Sequence, residues 1–186
     1  YVGAIVCLLF VLGCIIVHSP MKWALIAATI FSILLSWGKN FMPLTEWFID
    51  YFPLYNKFRT VSSILVIAEF CIPVLAIMAL KEFMDKPNKK ALYIATGITA
   101  GIALLAWIVP SLFGPFTSGY EREMVAQNAQ LKAIFDGVAE ARVAVFRADA
   151  MRTLFFVLAA AALLLVAAMG KLKKEWSVLL LCALLI

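Results

Sequence analysis

Eight ionisable side chains have types and spacings suited to chemistry, and each stands beside or inside an apolar run. Lys57 and Arg59, with Asn56, Thr60 and Ser62 around them, immediately precede or open the apolar stretch that starts at Val61. That places them at the N-terminal end of a helix, where free backbone N–H groups and the positive end of the dipole favour an anion. A lipid-linked phosphate suits such a place, with Arg59 making a bidentate contact and Lys57 acting as a point charge. Snorkelling of the two side chains to headgroups is the plainer alternative. Arg147, Asp149 and Arg152 stand in the same relation to the run that starts at Thr153. Two cations at headgroup height bind phosphate while the acid holds one guanidinium, and structural ion pairing would use the same three groups.

The other three are carboxylates. Glu69 lies about two turns into an apolar run, one turn before Pro73. An acid at that depth faces protein or a wet cavity, where it handles a proton or binds a hydroxyl, or is simply bonded to a neighbouring helix. Glu46 and Asp50 are four apart between Pro43 and Pro53, opposite a face of Leu44, Trp47, Phe48, Tyr51 and Phe52. They share one side of a short interfacial helix, suited to acid/base work or a divalent cation, or merely solvated. No Walker loop, dinucleotide fingerprint, HExxH motif or nucleophile elbow occurs, and the four cysteines lie in apolar runs without metal-like spacing.

The elements that must position these groups are set by composition. Hydrophobic residues make up 65% of the 186 positions and charged residues 15%, against roughly 45–50% and about 25% in a soluble domain. So much apolar surface must face lipid, which makes nucleic acid a poor partner despite the net charge of +5. Six apolar segments stand out, at 1–17, 21–37, 61–80, 91–109, 153–170 and 177–186, in an all-α transmembrane bundle of one membrane domain. The middle four reach or approach the roughly 20 residues that span a bilayer core. Continuous apolar runs lack the alternation of a lipid-facing barrel.

Short connections fix the orientation. The segments 18–22, 81–90 and 171–176 fall on one side and carry Lys22, Lys81, Lys86, Lys89, Lys90, Lys171, Lys173 and Lys174. That side is expected to be cytoplasmic, which puts the long segments 38–60 and 110–152 outside. Trp23, Trp37, Trp107 and Trp176 all fall at expected interfaces. The second outer segment reads as a long amphipathic helix from about Tyr120, with Met124, Leu131, Val138 and Val145 every seven residues and Ile134, Phe135 and Phe146 supplementing them. It packs on the membrane or on another part of the protein. The first and last runs stop short of a comfortable span, so the chain is expected to be an internal piece of a longer one.

The sequence resembles the YfhO family of bacterial multi-pass membrane proteins, most closely its Bacteroidetes members. The likeness rests on Ser36-Trp37-Gly38-Lys39-Asn40-Phe41, Pro53-Leu54-Tyr55-Asn56-Lys57-Phe58-Arg59 and Phe146-Arg147-Ala148-Asp149-Ala150-Met151-Arg152. The resemblance implies a GT-C-like glycosyltransferase of the cytoplasmic membrane, moving a sugar from a polyprenyl-phosphate donor to a cell-envelope polymer on the outer side. It also implies that the catalytic acid belongs to an early outer loop, outside the residues at hand. Motif positions Lys57, Phe58, Arg59, Arg147, Asp149 and Arg152 carry over. A lipid or polymer translocator using Glu69, and a structural scaffold, are readings of other classes.

Overall fold

In the computed structural model, residues 2–36, 61–127, 132–170 and 174–185 are described. They are all-helical, with seven α-helices and, among the described residues, no strand. The helices are α1 (Ala4–Ile16), α2 (Pro20–Ser36), α3 (Leu65–Asp85), α4 (Lys89–Ile108), α5 (Gly119–Gln127), α6 (Lys132–Ala168) and α7 (Lys174–Leu185). Single 3-10 turns, Val61–Ile64 and Pro110–Phe113, lead into α3 and out of α4.

Helix α1 has no side chain that must reach water, and α3, α4 and α6 pack around it. Leu8 and Leu12 are wholly buried, and they join Leu75, Ala79, Leu92, Ala95, Ala160 and Leu164 in one continuous core. Along α4 the face that meets α1 and α6 is made of Ala91, Ala95, Thr99 and Ala103, at a spacing of four, which lets neighbouring backbones approach closely. Helix α2 lies against α3, and Ser32, fully buried, donates its hydroxyl to the Ile64 carbonyl just before α3 begins. Within α3, Pro73 carries no N–H for the Glu69 carbonyl, so one rung of the helix is lost there.

Two helices, α4 and α6, are long and apolar enough to cross a membrane. Helix α3 has the length but includes Glu69, Lys81 and Glu82, and the described parts of α1, α2 and α7 are shorter. The sequence divided residues 110–152 from a span at 153–170, whereas α6 runs unbroken from Lys132 to Ala168. Its 37 residues make a rod of about 55 Å, so the amphipathic segment and the apolar one are a single element. Good helix formers without an internal Pro explain the continuity, because nothing at Arg152–Thr153 interrupts the hydrogen-bond ladder.

Among the described glycines, Gly13 is the one that a neighbouring helix approaches closely. A Cβ there would stand 3.0 Å from both Leu75 Cγ and the Leu75 carbonyl oxygen, and 3.1 Å from Ala79 Cβ. Gly13→Val is therefore expected to separate α1 from α3 and to cost about 1–3 kcal/mol, read as a lower melting temperature in detergent. Gly97→Ala, where nothing lies within 4 Å, should leave that temperature unchanged or raise it.

Candidate functional site

Lys57, Arg59, Glu46 and Asp50 lie outside the described residues. Arg147, Asp149 and Arg152 fall in the middle of α6, where its exposed half meets its apolar half. On a helix, Asp149 and Arg152 are three apart and share a face. Arg152 Nη1 donates to Asp149 Oδ1 at 3.5 Å, in a pair that is mostly open to solvent. Arg147 is five residues from Arg152, which places it about 140° away around the axis. Of the Arg-Asp-Arg cluster expected from the sequence, the structure brings Asp149 and Arg152 together and turns Arg147 to another side.

Beside that pair is a cavity of about 630 Å³ between α1, α4 and α6. Its walls are apolar: Cys7 and Phe10 on α1, Ile102 and Ala106 on α4, Ala150 and Val157 on α6. Polar groups are few, namely Asp149, Thr99 and Thr153. A greasy hollow with a carboxylate and a guanidinium next to it suits an amphiphile whose head meets the pair and whose tail enters the hollow. Glu69 is exposed on α3 and does not line this cavity. Among the described residues, no three His, Cys, Asp or Glu side chains gather as a metal site.

The segment after α4 closes one side of the hollow. Gly114, at φ +139°, turns the chain in a way that L side chains rarely allow. Phe113 and Phe116 then meet Phe146 of α6, with ring centroids 5.8 and 5.5 Å apart. Arg142, one turn earlier on α6, fixes the arrangement. Its Nη1 donates to the Phe116 carbonyl at 2.8 Å, and its two terminal nitrogens reach Glu121 Oε2 at 3.0 Å and Oε1 at 2.7 Å. Glu121 also completes a capping box, accepting the Ser118 N–H at 2.8 Å while the Ser118 hydroxyl accepts the Glu121 N–H at 3.2 Å. The sequence reading missed this clamp. Ser118-Gly119-Tyr120-Glu121 was the available signal for the cap, but nothing in it named Arg142 as partner.

The Arg142 hydrogen bond, followed by the Ser118 N–H, holds the Glu121 carboxyl below the ordinary carboxylate range, and Arg142 is correspondingly raised. A lowered acid contributes stability that is complete above its unfolded value and lost as pH falls through its folded one. Amide exchange over residues 110–122, corrected for intrinsic rates, should be equal at pH 7 and pH 5 and rise below about pH 4. Arg142→Gln should give several-fold faster exchange there already at pH 7, with α1 to α4 unaffected.

No family model, curated protein or solved structure matches this chain.

Proposed function

We propose that the chain is part of a polytopic bundle in a bacterial cytoplasmic membrane, working as a GT-C-like glycosyltransferase on a polyprenyl-phosphate-linked sugar at the outer face, as its YfhO-like motifs imply. The carrying observation is the apolar hollow beside Asp149 and Arg152, which suits the first isoprene units of a carrier with its phosphate at the guanidinium. The membrane part of the reading draws on side chains that face outward. Ile94, Ile98, Ile102 and Leu105 follow one another along α4, each about half exposed, and Phe155 and Leu158 do the same on α6. Water would oppose such continuous apolar faces, and lipid would not. Trp23, Trp107 and Trp176, exposed at helix ends, suit headgroup level.

Sidedness follows from the two ends of the bundle. One brings His18, Lys86, Lys89 and Lys90 together, and Lys81 there lines a shallow hollow with Asp85 and Glu175. This basic end is cytoplasmic in our reading, and the hollow beside Asp149 opens at the other. During transfer an acceptor hydroxyl oxygen of the envelope polymer bonds to the sugar's anomeric carbon and gives its proton to the catalytic carboxylate, while the bond from that carbon to the phosphate oxygen breaks and negative charge grows on the departing phosphate. The Arg152 guanidinium, open to solvent in the free chain, stabilises that charge once the bound carrier covers it. In the same reading Lys57 and Arg59 approach the carrier from the other outer segment, and the catalytic acid lies outside the residues at hand.

Carrier-dependent sugar transfer by the whole protein is the test. Arg152→Ala should lower kcat/KM by roughly tenfold to a hundredfold, the range for a lost charge-assisted hydrogen bond. Ala103→Phe, which fills the hollow from α4, should raise KM for the carrier. Transfer unchanged in both variants would remove the hollow from the reaction. Asp136→Cys should react with a membrane-impermeant maleimide added outside intact cells, above the background of the native cysteines, and protection there would reverse the assigned orientation.

A further inference from the structure

A second hollow, of about 770 Å³, lies at the basic end, between the end of α1 and the turn joining α3 to α4. Ile15 and Ile16 give it an apolar wall, while Glu82, Lys86, Lys89 and Lys90 line the other side, with His18 nearby. Its charges do not balance. Lys86, Lys89 and Lys90 are exposed, and among the described residues none of them is held in an ion pair. Lys89 and Lys90 are also the first two residues of α4, whose first turn contains no acid. Two ammonium groups therefore stand where leading N–H groups and the helix dipole already present positive charge. The Asn88 side chain accepts the Ala91 N–H at 3.2 Å and offers no charge in return.

Helices ordinarily carry Asp or Glu at such a start. A local rule broken without compensation inside the chain calls for compensation from outside it. The hollow adds what a bare helix end lacks, which is room for a group and an apolar wall continuous with the lipid-facing helices. We propose that this hollow binds the phosphate of an anionic phospholipid from the leaflet at the basic end, with the lysines on the phosphate and the lipid's glycerol and first acyl carbons against Ile15 and Ile16. The binding is separate from the hollow beside Asp149, and it rests on the membrane reading above but not on sugar transfer.

The test uses the full chain, stripped of lipid in neutral detergent and placed in nanodiscs of phosphatidylcholine doped with phosphatidylglycerol. Lipids that stay bound after release are counted by native mass spectrometry. Phosphatidylglycerol should be enriched over phosphatidylcholine, and Lys86→Gln, Lys89→Gln and Lys90→Gln together should erase the enrichment, on the order of fivefold per lysine. The three corresponding Lys→Arg changes should keep it. All three lysines are exposed, so an unchanged melting temperature in neutral detergent should accompany the loss. Equal enrichment in the Gln variant would overturn the proposal, as would complete displacement of the lipid by sn-glycerol 3-phosphate, which would give the site to a soluble phosphate. Flotation with pure phosphatidylcholine vesicles reads the membrane assignment separately. A chain that floats without preferring phosphatidylglycerol sinks only this pocket, whereas one that fails to float sinks both.

Discussion

The constraint on which everything else depends is the burial of α1. Its sequence, AIVCLLFVLGCII, offers water nothing, so the helix is stable only where other helices or lipid surround it. Gly13 lets α3 come close enough to cover one side, and the small residues of α4 let that helix and α6 cover another. Towards the basic end the space is filled by Leu75, Phe83 and Leu92. Towards the other end the facing positions are Ala103, Ala106 and Ala150, too short to meet α1 across the gap. The hollow beside Asp149 is thus a consequence of which small residues line which half of one packed core.

The second determinant is the length of α6. A helix that ended at the bilayer surface would leave the segment after α4 without a support. Because α6 continues, Arg142 and Phe146 stand one turn apart on a rigid rod, and the segment 110–122 is fastened to that rod by one ion pair, a carbonyl and three aromatic rings. Arg152 then sits on the same rod, with its Asp149 partner on the wall of the hollow. The backbone that carries this cation is held by helix geometry and not by a loop, while the side chain itself stays largely exposed.

Particular residues tell how much of this was legible beforehand. The all-helical class followed from uninterrupted apolar runs, and the shared end of the short basic connections followed from their alternation along the chain. That Asp149 holds one guanidinium was legible, but which one was left open until α6 proved continuous and put Arg152 three residues on along the same face. Arg147 was grouped with them by adjacency in sequence, and a helix spreads such neighbours around its axis. Continuity of α6 was missed because hydropathy changes sharply at Thr153, and hydropathy marks the solvent a segment meets, whereas backbone propensity marks where a helix stops. The Arg142–Glu121 clamp was beyond reach, since its partners are 21 residues apart and belong to different helices. Single-sequence reasoning has no term for such pairing.

The two ends of the bundle also treat charge differently, and the difference bears on what each end can bind. At the end with the long segments, Arg142 faces Glu121 and Arg152 faces Asp149. Those two guanidiniums each have an acid beside them, and a phosphate arriving there must compete with or join a carboxylate that is already in place. In the hollow at the opposite end, three lysines and a positive helix terminus share one lining acid among the described residues, Glu82. Exposed ammonium groups on flexible stems cost little to leave unpaired in water, but they make a diffuse attractor and not a shaped fork. The end with the paired guanidiniums therefore offers directed donors, whereas the hollow of lysines offers a diffuse positive field that suits anions of many shapes.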